Sequence, residues 1–153
     1  MTITFVTTTS HGTWLPGDAR GYVRNGLTLP GDAEELAFSK IRLKTPPVYF
    51  SAVERDQLFC ALLDACNEFN YKLSDAAVET WHLHWIAFHG DDQIEAVVGR
   101  LKTRMRQRLA RGRIWTEGYC AEPLFDNTAI EQAQQYIARH AGCRMSDGQI
   151  VVA

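Results

Sequence analysis

Residues 80–90, TWHLHWIAFHG, constrain the fold more than any other stretch of the chain. Side chains of a strand alternate between its two faces, so Trp81, Leu83 and Trp85 point one way and His82 and His84 the other. The apolar side belongs against a core, which makes this a sheet strand covered on one face. The opposite face carries two imidazoles one residue apart and needs a separate account. At 153 residues the chain is expected to form a single domain over 1–153, large enough for a sizeable core.

The rest of the sequence supplies partners for that strand. Residues 3–9, ITFVTTT, are β-branched and read as a first strand. HGTWLPGDARG follows, with Pro16-Gly17-Asp18 and Gly21 marking a loop in which Asp18 reads as a turn residue. Residues 22–48 look irregular and are taken as a long surface connection, a loop insertion. Ser51-Ala-Val-Glu54 has the form of a capping box, followed by Leu58, Leu62, Ala65 and Phe69 at helical spacing. Residues 73–80 and 81–89 are two adjacent strands or one long bent one. Asp91-Asp92 opens a second helix, whose apolar stripe is Ile94, Val97, Val98, Leu101, Met105 and Leu109. After a short extended piece at 114–125, Thr128-Ala-Ile-Glu131 starts a third helix running to about Gly142, a suitable residue just past a helix end. This order predicts an α+β, ferredoxin-like sandwich: a small antiparallel sheet with helices packed on one face and the other face partly open.

Some classes are excluded by what is missing. No apolar run approaches the roughly 20 residues of a membrane span, and MTITFVTTT lacks the pattern of a signal peptide. A cytoplasmic protein with no membrane partner is expected. Cys60, Cys66, Cys120 and Cys143 form no C-x-x-C pair and read as reduced thiols. The net charge of −2 argues against a generic nucleic-acid binder. Its distribution says otherwise: residues 100–113 hold Arg100, Lys102, Arg104, Arg106, Arg108, Arg111 and Arg113 without one acid.

Two histidines at i and i+2 on a strand stand close enough to chelate one divalent cation, although ordinary half-exposed strand residues share that spacing. In AIEQAQQYIARHAG, Tyr136 and His140 are four residues apart and share a helical face. Ala129 and Ala133 lie on that face, small enough for close approach to a neighbour. Ile130, Ile137 and Ala141 form the adjoining apolar stripe.

TWHLHWIAF, the basic helix, IWTEGYCAEPLFDN and AIEQAQQYIARH, with FVTTTSHGTWLPGDARG at the start, together resemble the single-tyrosine HUH transposases, and their REP-associated tyrosine transposase branch in particular. The resemblance spans roughly residues 3–142. It implies that His82 and His84 hold Mg²⁺ or Mn²⁺ against the scissile phosphate, with His140 as third ligand. Tyr136 is then the nucleophile, forming a 5′-phosphotyrosine and releasing a 3′-hydroxyl. The implied activity is metal-dependent nicking and strand transfer on single-stranded DNA, at hairpins, by a nucleoid-associated protein acting as a monomer or as a homodimer. The metal would serve as Lewis acid and template, and the covalent step would preserve the phosphodiester energy for religation. Two departures stand out: Thr80-Trp81 precedes His82 where many relatives carry Asn, and Ala141-Gly142 follows His140 in place of Asn-Pro.

The basic helix supplies the expected DNA-binding set, Arg100, Lys102, Arg104, Arg108 and Arg111, of which Arg100, Arg104 and Arg111, with Gln107 between, line one flank of the apolar stripe and are free to meet phosphates. A solvated helix face is the plainer reading of the same residues. Trp14 is suited to stacking on a base or to burial against the sheet. His11 and His89 receive no role, and Tyr22, Tyr49, Tyr71 and Tyr119 read as packing residues. A DNA-binding protein of this fold without chemistry, and a phosphoesterase that uses water, are the competing functions.

Overall fold

A computed structural model describes residues 2–151. The elements in chain order are β1 (Ile3–Thr9), β2 (Tyr22–Arg24), β3 (Leu27–Leu29), α1 (Ala33–Arg42), α2 (Ala52–Glu68) and β4 (Lys72–Val78). They continue with β5 (His82–Phe88), α3 (Ile94–Leu109), β6 (Cys120–Pro123), α4 (Asn127–Ala138), β7 (Cys143–Ser146) and β8 (Gln149–Ile150). Six strands form one antiparallel sheet in the order β6-β1-β5-β4-β7-β8, which places the histidine strand β5 in its interior.

The α+β architecture expected from the sequence is the one observed. The two long helices, α2 and α3, cover one face of the sheet. Leu58 and Leu62 from α2, and Val97, Leu101 and Met105 from α3, pack there with Val6, Leu83 and Trp85 of the strands. The shorter α4 lies on the opposite face. Its Ala133 and Ile137 rest on Ala77 and Ile86, with Ile3 and Phe5 alongside. The alternation of β5 is thus realised on both sides, Leu83 and Trp85 toward α2 and α3, Ile86 toward α4.

Ser51 caps α2 in the reciprocal box read from the sequence: its hydroxyl accepts from Glu54 N, and Ser51 N donates to Glu54 Oε1. Other local expectations differ from what is found. Residues 22–48 are not irregular; they contain the β2–β3 hairpin and α1, capped by Asp32. The acceptor opening α4 is Asp126, which takes the Ala129 amide, so Thr128 lies inside the helix. Asp92 does not cap α3. It accepts from Tyr71 Oη and Arg100 Nη1, each at 2.7 Å, and the capping position belongs to Gln93, without a side-chain bond. The third helix stops at Ala138 rather than near Gly142.

Gly142 has a different reason to be glycine. A Cβ there would lie 2.1 Å from the Val78 carbonyl oxygen, at the end of β4. Only a residue without a side chain fits. The Gly142 carbonyl accepts from Val78 N at 2.9 Å, and the Glu79 carboxylate accepts from Gly142 N at 2.7 Å. The chain then enters β7, which adds to the sheet beside β4.

Candidate metal centre and tyrosine

The two-residue period of β5 delivers the His82 and His84 rings to the α4 side of the sheet, 4.8 Å apart between centroids. Cross-strand pairing sets Thr7 opposite His84 and Thr9 opposite His82. His140 arrives from just beyond α4, its ring 4.6 Å from His84 and 5.9 Å from His82. One nitrogen from each of the three rings lies within 4.8 Å of the others. The Tyr136 ring completes the group at 5.2 Å from His84 and 4.8 Å from His140, and it is 42% exposed.

α4 is aimed by three anchors. Asp126 caps its start, Ala133 and Ile137 seat it on the sheet, and Gln134 Nε2 donates to Asp75 Oδ2 at 3.1 Å. Asp75 is fully buried and also accepts from Ser74 Oγ at 2.7 Å and from Asp147 N at 2.9 Å. That one carboxylate therefore ties the tyrosine helix to β4 and to the β7–β8 turn.

The ring nitrogens are set up for a cation. His140 Nδ1–H donates to the Tyr136 carbonyl at 2.9 Å, which leaves the Nε2 lone pair free. His84 Nδ1 hydrogen-bonds Thr7 Oγ1 at 2.8 Å, while its Nε2 is buried without a hydrogen-bond partner among the described residues. His82 Nδ1 is buried without a partner as well. Buried polar atoms are rarely left unpaired, and a divalent ion is a partner that would satisfy both orphaned nitrogens together. Burial holds His84 far below its ordinary value, to about 3, with His82 and His140 adding to the effect. Burial lowers His82 too; Glu79 opposes that shift, and His140 and Arg20 reinforce it. Both rings are consequently neutral at pH 7, the form that ligates metal. The residues present fit a divalent cation.

The basic helix is placed differently from the expectation. α3 packs on the sheet face opposite the histidines. Four arginines of the basic run are engaged in ion pairs: Arg100 with Asp92, Arg104 with Glu68, Arg108 with Asp64 and, just past the helix, Arg111 with Glu54, all within 2.9 Å. Lys102 is half-buried and gives its ammonium to the carbonyls of Thr116 and Gly118, each at 2.9 Å; burial lowers its pKa. The acids supplying these pairs come mostly from α2, whose distance in sequence hid them. His11 bonds Thr45 Oγ1 and His89 bonds Thr4 Oγ1, both at 2.8 Å and apart from the three-histidine group. Thr7 and Asp75 are functional candidates that sequence reading missed.

No family model matches the chain, and no curated protein does. A solved structure does: a REP-associated tyrosine transposase bound to a REP hairpin, with a TM-score of 0.59 at 12% identity, matching 89% of this chain. The chain has the fold of a tyrosine transposase. It spans 64% of the length of that protein. A putative transposase from Deinococcus radiodurans R1 also aligns, at 16% identity and a TM-score of 0.46, over 90% of both chains. At such identities the likeness to the tyrosine transposase is one of fold. Among the described residues, no helix is long and apolar enough to cross a membrane.

Proposed function

We propose that this chain nicks and rejoins single-stranded DNA at hairpins, with Tyr136 as the nucleophile and His82, His84 and His140 holding a divalent cation, Mg²⁺ or Mn²⁺. The observation that carries the reading is a half-exposed phenol in contact with two of three imidazoles whose nitrogens converge within 4.8 Å. The hairpin is favoured because the neighbour of like fold is bound to one. Among the described residues, Tyr136 is the tyrosine whose ring touches this group; Tyr71 lies edge-on to His89 instead.

Tyr136 Oη attacks phosphorus while the P–O3′ bond breaks. The 3′ oxygen leaves and takes up a proton, and the phosphotyrosine retains the phosphodiester energy. In the reverse direction a 3′-hydroxyl attacks phosphorus, the P–Oη bond breaks and the phenol regains its proton. A cation held by the histidines would draw charge from the phosphoryl oxygens and fix the phosphate in place. Phe5 packs on both the His84 and Tyr136 rings, which orients nucleophile and ligand together.

Denaturing electrophoresis of end-labelled hairpin DNA, with Mg²⁺ or Mn²⁺, tests the reading. Wild-type protein should retard the label covalently, and Tyr136→Phe should bind the DNA without retarding it. Nicking without an adduct would assign the attack to water. Binding with neither nick nor adduct would make the chain a DNA-binding protein of this fold.

A further inference from the structure

A cleft of about 410 Å³ opens beside the histidine group, within the range of small-ligand sites, about 300–1,000 Å³. The two share a wall. Thr7, whose hydroxyl bonds His84 Nδ1, lines the cleft, and so does Thr9, the cross-strand partner of His82. Trp14, Tyr22 and Tyr119 supply aromatic surface around it.

These walls are held in place. Trp14 Nε1 donates to the Gly21 carbonyl at 2.7 Å. The Arg20 guanidinium lies 3.9 Å over the Trp14 ring and 4.7 Å over Trp81, and is fixed by Asp18 at 2.7 Å and the Thr13 carbonyl at 3.0 Å. Trp81 in turn stands 4.1 Å from the His82 ring. An aromatic and cationic ladder therefore runs from the cleft to the first histidine.

We infer that this cleft takes one unpaired nucleobase of the strand, adjacent to the phosphate at the histidines, a proposal that rests on the DNA-processing reading. Aromatic side chains beside a cation recognise the π-face that every base has. A base within a duplex has both faces covered by its neighbours, so the occupant is unpaired. Glu117, on the same wall, is an acceptor suited to the exocyclic amine of cytosine or adenine.

Fluorescence anisotropy tests this in the Tyr136→Phe background with Mn²⁺, where DNA is not consumed. The probes are a hairpin with an unpaired flank and the same hairpin with abasic sites in that flank. Loss of the bases should weaken binding about tenfold, the usual scale for one stacked base. Tyr119→Ala, at a partly exposed position, should weaken the intact flank by a similar factor and leave the abasic one unchanged. An abasic flank that binds as tightly as the intact one overturns the inference, as does Tyr119→Ala weakening both alike. In either case, adduct formation by the unmodified chain shows that the proposed function stands. A protein that binds neither hairpin removes the function and the cleft's role together.

Discussion

His84 uses its two ring nitrogens for different purposes, and the division explains why Thr7 matters. With Nδ1 bonded to the Thr7 hydroxyl, the ring orientation is held and the buried Nε2 is the nitrogen left over for a ligand role. Partners of this kind orient a ligand and typically change metal affinity by about 10–100-fold. Thr7→Val keeps the shape and removes the oxygen; calorimetric titration should show Mn²⁺ binding weakened by that factor with the circular dichroism spectrum unchanged. The donor set also bears on which ion is held. Three imidazole nitrogens are a poor match for Mg²⁺, which demands oxygen ligands and dehydrates reluctantly; Mn²⁺ also favours oxygen but, as a transition ion, tolerates imidazole better, so it should support adduct formation at a lower concentration than Mg²⁺. The same burial makes the metal-free protein acid-sensitive. Between the ordinary histidine value of 6.5 and the His84 value of about 3, the unfolded chain binds the proton that the folded chain refuses. Stability therefore falls as pH drops through that window, by at most about 1.4 kcal/mol per pH unit for this group. Urea titrations at pH 7 and pH 5 should show it, and a flat profile would mean that His84 is protonated in the fold.

α4 is the element that turns a strand with two histidines into a candidate active site. Its anchorage predicts two losses. Asp75→Ala removes the acceptor of Asp147 N and the nearer acceptor of the part-buried Gln134 amide and should cost about 1–3 kcal/mol, with adduct yield falling because the tyrosine helix loses its tether. Gly142→Ala forces a methyl into the Val78 carbonyl and should cost about 3 kcal/mol in urea unfolding. Much of this element was legible: the helix, its small contact residues Ala129 and Ala133, and the pairing of Tyr136 with His140. Its end was not, because a spacing of four residues fits equally a continuing helix and a chain that leaves it after Ala138. Glycine at 142 suggested a cap, whereas the need for it comes from β4, a contact the sequence does not display. The β2–β3 hairpin was missed for another reason. Its residues are largely exposed, so no burial alternation marks them. Yet Asn25-Gly26, with φ of 52° and 77°, is the dipeptide that favours a two-residue hairpin turn.

Across the whole molecule, the sheet separates the basic helix from the histidines, and ion pairs already answer Arg100, Arg104 and Arg111 with acids. Replacing Arg100, Arg104 and Arg111 by Ala should therefore change the slope of log Kd against log salt by less than about one, since each released phosphate contact contributes about 0.9. A fall of two or more would show DNA crossing the α3 face. The charge run was plain in the sequence; its pairing depends on Asp64 and Glu68 returning beside it, which only the packing of α2 on α3 brings about. The sheet order has a last consequence, for motion. β5 is flanked on both sides and backed by the larger apolar cluster, whereas α4 rests on a small one. The amides around His82 and His84 should exchange with deuterium only on global unfolding, and those of α4 through a shallower local opening. Tyr136, the proposed nucleophile, and His140, one of the three candidate ligands, thus ride on a part that can detach while His82 and His84 stay behind. An ion bridging all three would link the two opening events, slowing exchange along α4 while leaving β5 nearly as it was.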